Sequence, residues 1–172
     1  MRHACTIDSP VGLLGLAATD QGLAECEFRD EGAATPVGDH PHLRQAVHEL
    51  AEYFDGRRTE FTVPLAPDRG TDFQRRVWRE LSKIPYGKTW SYRDVARKIG
   101  RPAAVRAVGA ANGANPIAII VPCHRVIGSD GSLTGYGGGE ERKRFLLDLE
   151  TPALFTRDRS AAAPPRRRRA PA

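Results

Sequence analysis

Cys123 lies in Pro-Cys-His-Arg-Val, residues 122–126, between an apolar run (117–121) and a glycine-rich loop (128–139). A thiol attacks as its thiolate, so it needs a base or a positive setting. His124 is a base next in sequence. Glu150, at the end of the last helical pattern, is a carboxylate able to orient it. Neighbours on an extended strand point to opposite sides, so Cys123 and His124 meet only if the backbone turns or a water bridges them. The commonest fate of a free cysteine is to be packed as a small apolar group. Against that stand His124 and Arg125, both costly beside a core strand unless paired. On residue chemistry alone two readings stay open: a Cys/His/Glu nucleophile of unspecified class, or a structural thiol.

The other two cysteines, Cys5 and Cys26, make an odd, sparse set with no CxxC pair. Neither a disulfide framework nor a zinc site follows from such spacing. His3, His40, His42 and His48 fit no standard zinc pattern either, so no metal and no cofactor is expected. No stretch approaches the length of a membrane span, and the first residues lack the apolar core of a signal peptide. A cytoplasmic location is the expectation. The net charge is +5, and four of the arginines, Arg166–Arg169, sit at the far end. Residues 1–70 carry 6 Lys/Arg against 12 Asp/Glu, whereas residues 71–108 carry 10 against 3. A basic block joined to an acidic one suits a polyanion such as nucleic acid, or an ordinary solvated face.

These groups need a scaffold. Short apolar runs at 4–8, 12–19 and 23–28, split by turn residues, read as a strand meander. Residues 42–56 read as an amphipathic helix with Leu43, Ala46, Val47, Leu50, Ala51 and Phe54 inward, and 60–65 as a last strand. Thr71 and Gln74 form a capping box before a helix that buries Phe73, Val77, Trp78, Leu81 and Ile84. Ser91 caps a short helix ended by Gly100, and Pro102 suits the first turn of the next, which runs to about Asn112. Two short helices joined by a tight turn among arginines look like a helix-turn-helix. Residues 117–121 read as a buried strand. The last helix, 140–150, turns Phe145, Leu146 and Leu149 inward. The expected fold class is α/β of the α+β kind. It has a small strand-meander and helix domain (1–69), then a mostly helical domain (70–155) with a helix-turn-helix and a buried active-site cysteine. Residues 156–172 are expected to be a disordered Arg-rich tail.

"GTDFQRRVWREL", "IPYGKTWSY", "RAVGAANGANP", "IIVPCHRVIG" and "LTGYGGG" occur in one order between Gly70 and Glu150. This chain resembles the O6-alkylguanine-DNA alkyltransferases, the methylated-DNA–protein-cysteine methyltransferases. Over 1–69 the likeness is looser, carried by "TIDSPVGLL". The resemblance implies irreversible, one-turnover transfer of an alkyl group to Cys123 from O6 of guanine, less efficiently from O4 of thymine. It implies that His124 deprotonates Cys123 through a water, that Glu150 orients His124, and that Asn115 ties the preceding helix to the cysteine segment. Tyr92 corresponds to the donor to guanine N3, and Gly137 to a backbone N–H aimed at O6. The carbonyls of Cys123 and Val126 correspond to acceptors for the exocyclic amine, and Tyr136 to the pocket wall. The partner implied is double-stranded DNA carrying an alkylated guanine, bound as a monomer through the minor groove. Arg106 fills the gap left by the flipped base, and the small residues Ala104, Ala107 and Gly109 let the helix approach. Ala118, where some relatives have proline, and Gly137, where many have serine, imply a roomier pocket.

Overall fold

The computed structural model describes residues 1–133 and 135–151, so the expected tail, 156–172, lies outside the described residues. The first strands form the antiparallel meander that the turn residues predict: β1 (His3–Ile7), β2 (Leu13–Thr19) and β3 (Gly22–Arg29), in the order β1-β2-β3. α1 (Pro41–Phe54) packs on this sheet through Leu43, Ala46 and Leu50, as its period predicts. It also buries Glu49 and Tyr53, while Ala51 is exposed. Glu49 explains why residues 60–65 are not the expected strand. Its carboxylate accepts the Thr62 and Val63 N–H groups at 3.0 and 3.2 Å. Those donors are then not available to a sheet ladder. Only an isolated bridge, Leu23 to Leu65, remains.

α2 (Asp72–Leu81) begins at the predicted capping box, with Thr71 and Gln74 exchanging hydrogen bonds of 2.9 and 3.1 Å. β4 (Trp90–Ser91) runs parallel to β5 (Val126–Ile127), and Ser91 caps α3 (Tyr92–Lys98). α4 (Val105–Gly113) starts three residues after Pro102, which sits in the connecting turn and not in the helix. α2, α3 and α4 pack on one another, so the helix-turn-helix rests on a third helix.

The expected buried strand at 117–121 is instead a tight turn. Pro116 and Pro122 flank it and have no N–H to donate to a ladder. Val121 N–H bonds to Ile117 O at 3.0 Å, closing the turn. One bridge survives: Cys26 N–H donates to Pro116 O and Ala118 N–H to Cys26 O, at 2.9 and 2.8 Å. Through that bridge the meander joins the cysteine segment, and one apolar core runs from Cys5 to Leu146.

α5 (Glu140–Glu150) is rotated relative to its expected face. Lys143, Leu146, Leu147 and Glu150 are buried, while Phe145 is 39% exposed and Leu149 half-buried. The inward charges have buried partners, described next.

Candidate active site

Cys123 opens a 3-10 turn, Cys123–Arg125. Successive side chains on such a turn point about a third of a revolution apart. The strand geometry that would have set Cys123 and His124 on opposite faces therefore does not apply. All three residues are buried.

His124 is wholly inaccessible, and its Nε2 lies 2.8 Å from Glu150 Oε1. Glu150 also accepts from Tyr53 Oη at 3.0 Å. Arg125 donates Nε to Oε2 at 2.9 Å and Nη2 to Oε1 at 2.7 Å, and its Nη1 reaches Ile84 O at 2.8 Å. Burial alone would push the Glu150 carboxyl up. Hydrogen bonds and charge from His124 and Arg125 outweigh burial and hold it at about 2. Glu150 is thus a carboxylate, so His124 Nε2 carries the proton and donates. Nδ1 keeps its lone pair, buried and without a partner. Burial lowers the His124 pKa, and Arg125 and Lys143 add to that against the pull of Glu150. The imidazole is a neutral base.

Burial likewise pushes the Cys123 thiol up; the Asn115 amide, the Tyr136 hydroxyl and the Lys143 ammonium pull it back only in part. The resting sulfur is protonated. Tyr136 sets its hydroxyl beside it, outside regular hydrogen-bond geometry. Asn115 holds the turn that delivers the cysteine. Its Nδ2 donates to Val121 O at 2.8 Å and its Oδ1 accepts from Ile117 N–H at 3.0 Å. Ile119 inside that turn has φ +72°, a strained value for a β-branched residue. Strain of this kind persists where surrounding bonds over-determine it.

The expected site residues cluster unevenly. Cys123, Asn115, Tyr136, Gly137 and Ala118 line one cavity of about 200 Å³, joined by Cys26 and Phe28 from β3. His124 and Glu150 lie behind the cavity wall. Tyr92 is half-buried at the start of α3, near Gly109 and Gly135. Burial, with Cys123 nearby, raises its pKa, so its hydroxyl is a donor. The Val126 carbonyl already accepts Lys143 Nζ at 2.5 Å, leaving one lone pair for a ligand. The Cys123 carbonyl accepts from Asn112 Nδ2 at 3.3 Å. On α4, Arg106 and Ala107 are exposed and Gly109 partly so, as is the N-cap residue Ala104; Arg76, Arg79, Arg97 and Arg101 are exposed nearby.

Sequence reasoning missed Tyr53, Asn112 and Lys143, and found Arg125 only as a cost without a partner. Lys143 has a legible signal. It lies seven residues before Glu150 on α5, in line with Leu146 and Leu147. Its ammonium sits 5.8 and 5.6 Å from the ring centroids of Tyr92 and Tyr136. Burial lowers its pKa to about 8.

A helix-turn-helix with a basic surface, packed beside a buried thiol whose sequence neighbour is a neutral histidine paired with a carboxylate, fits a class: DNA-binding proteins built around a cysteine. Comparison with known proteins narrows this. Residues 3–67 match the ribonuclease-like domain of 6-O-methylguanine DNA methyltransferase, and residues 72–152 match its DNA binding domain. A methylated-DNA–protein-cysteine methyltransferase of Mycolicibacterium paratuberculosis is 53% identical over 158 residues, covering 88% of this chain and 95% of the relative. The inducible enzyme of that name from Bacillus subtilis is 57% identical over 122 residues, covering 71% and 68%. The crystal structure of Mycobacterium tuberculosis O6-methylguanine methyltransferase aligns with TM-score 0.79 at 53% identity, over 88% of this chain and 94% of that one. The M. tuberculosis OGT in complex with DNA aligns with TM-score 0.77 at 54% identity, over 86% and 91%. This chain belongs to the methylated-DNA–protein-cysteine methyltransferase family, whose activity is DNA repair by alkyl transfer. Among the described residues no group of His, Cys, Asp or Glu is arranged to hold a metal ion, and no helix is long and apolar enough to cross a membrane.

Proposed function

We propose that Cys123 Sγ is the alkyl acceptor, used once per molecule, for O6-alkylguanine in duplex DNA. The observation that carries this reading is the buried thiol beside a neutral His124, whose Nε2 is held by the ionised Glu150 at 2.8 Å. His124 Nδ1 takes the thiol proton through a water. The thiolate attacks the alkyl carbon, the new S–C bond forms as the C–O6 bond breaks, and the electron pair leaves with the guanine. Tyr92 donates to N3 and the Gly137 N–H to O6, where negative charge develops. The carbonyls of Cys123 and Val126 accept from the exocyclic amine, and Tyr136 walls the pocket. Asn115 keeps the cysteine turn in register. The product is a thioether with no route back to thiol, so each chain works once.

A base in the stack is out of reach of a buried thiol, and extruding it costs a few kcal/mol. Arg106 fills the space it leaves. The short side chains of Ala104, Ala107 and Gly109 let α4 enter the narrow minor groove, where readout is largely sequence-blind. The protein acts as a monomer.

Duplex DNA with a labelled O6-methylguanine tests this directly. The label is expected on the peptide holding Cys123, at no more than one per chain, and Cys123→Ala is expected to bind the lesion without taking the label. Label elsewhere, or more than one transfer per chain, would overturn the assignment.

A further inference from the structure

The alkyl-acceptor reading leaves the N-terminal sheet as support only. Yet β3 forms part of the cavity over Cys123 through Cys26 and Phe28. The loop opposite has little means of fixing itself: Gly135, Gly137, Gly138 and Gly139 carry no side chain to pack. Tyr136 is its one large residue here, and its hydroxyl meets only the Cys123 sulfur, outside regular hydrogen-bond geometry. The ring is therefore placed largely by its packing contacts. The Lys143 ammonium stands over it, 5.6 Å from the centroid. Phe28 meets it edge to face at 6.0 Å and 70°.

Phe28 reaches further along the same loop. A Cβ on Gly138 would lie 2.5 Å from Phe28 Cε2 and 2.9 Å from Tyr136 Cε1. Gly138 is not in the left-handed region, so its missing side chain answers to these rings and not to its backbone. Arg142 locks the arrangement. Its guanidinium carbon stands 4.9 Å from the Phe28 ring centroid. Its Nε donates to Val11 O at 2.9 Å, Nη1 to Gly138 O at 3.3 Å and Nη2 to Asp30 Oδ1 at 3.2 Å. One cation thus ties the β1–β2 turn, the end of β3 and the glycine loop.

We propose that Phe28, held by Arg142, fixes Tyr136 and Gly138 and so sets the size of alkyl group that the Cys123 cavity admits. This rests on Cys123 being the alkyl acceptor. Phe28 belongs to the cavity wall and Arg142 lies outside the lining and positions it, which makes the N-terminal sheet a determinant of substrate choice. Removing the Phe28 ring lets Tyr136 and the loop recede, which favours a bulky alkyl group over a methyl.

The test compares second-order transfer rates for O6-benzylguanine and O6-methylguanine in the same duplex, normalised to folded protein by thermal unfolding. Phe28→Ala is expected to raise the benzyl-to-methyl ratio by roughly tenfold, the scale of a changed pocket contact. Phe28→Leu keeps more of the volume, shifts the ratio less in the same direction, and decides the matter if Phe28→Ala does not fold. Gly138→Ala is expected to lower the ratio, and adding Phe28→Ala to it to restore the ratio at least in part, a coupling that separate effects would not produce. If the parent transfers both groups and the ratio in both Phe28 variants stays within about twofold or falls, the proposal is overturned. If the parent transfers neither, it is the alkyl-acceptor reading that fails.

Discussion

Arg125→Met removes a guanidinium that makes three of the short contacts around Glu150 and replaces it with an apolar chain of similar length. The Glu150 side chain is 1% exposed, so water cannot take over. Tyr53 and His124 alone remain to solvate the charge. Breaking a buried pair by deleting one partner costs about 3–5 kcal/mol. With a urea slope of about 2 kcal/mol/M, the unfolding midpoint should fall by about 1.5–2.5 M at pH 7.5. The pH dependence is equally specific. In the parent, Glu150 is held at about 2, below its ordinary value of 4.5, so its contribution is complete above 4.5 and is lost as pH falls toward 2. The variant loses the cation that contributes to that depression, so the two proteins should draw together on acidification below 4.5. Adding Glu150→Gln to Arg125→Met removes both charges and should recover much of the loss. Activity should move differently. Arg125 opposes protonation of His124, so transfer per folded molecule should hold or rise. A midpoint shift below about 0.5 M, or one that does not narrow in acid, would refute the buried-pair account.

Lys143→Met removes the ammonium that favours the Cys123 thiolate and steadies the Val126 carbonyl. Transfer from O6-methylguanine at pH 7 should fall by roughly tenfold or more, the loss expected when one preorganised charge is taken from a reacting centre. The parent pH–rate profile should bend near 8, where Lys143 deprotonates, and the variant profile should lack that bend. Tyr53→Phe deletes one hydrogen bond to a buried carboxylate and should cost about 1.5–3 kcal/mol of stability by urea unfolding, with single-turnover rates close to the parent's.

What the sequence makes legible is local. Thr71 with Gln74, and Ser91, announce their helices because a cap is written within four residues; the structure completes the second as a box with Asp94. The meander is legible because its turns are. Two of the errors share a physical origin in charge. Counting charged side chains as outward rotates α5 onto Phe145 and hides Lys143. The same habit leaves Glu49 on the surface of α1, and with it the reason that residues 60–65 form no strand. A buried charge is decided by its partner, and the partners lie far off in sequence: Arg125 with Glu150, Tyr53 with Glu150, Glu49 with Val63. Read without that habit, Lys143, Leu146, Leu147 and Glu150 form one stripe at helical spacing.

The turn at 117–121 marks a different limit. Five apolar residues between prolines suit a strand by period and composition alike. What overrides them is Asn115, whose amide bonds to Ile117 and Val121 and closes the chain on itself. Such a bond belongs to the side chain's geometry and leaves no trace in hydrophobic patterning. It has a consequence for the chemistry. A strand would have carried Cys123 and His124 to opposite faces. The turn, followed at once by the 3-10 segment, keeps the thiol on the cavity and His124 on Glu150. Asn115, which the resemblance gives as a tie, therefore fixes the turn that leads into the Cys123–Arg125 segment. The strain at Ile119 is held by the same bonds.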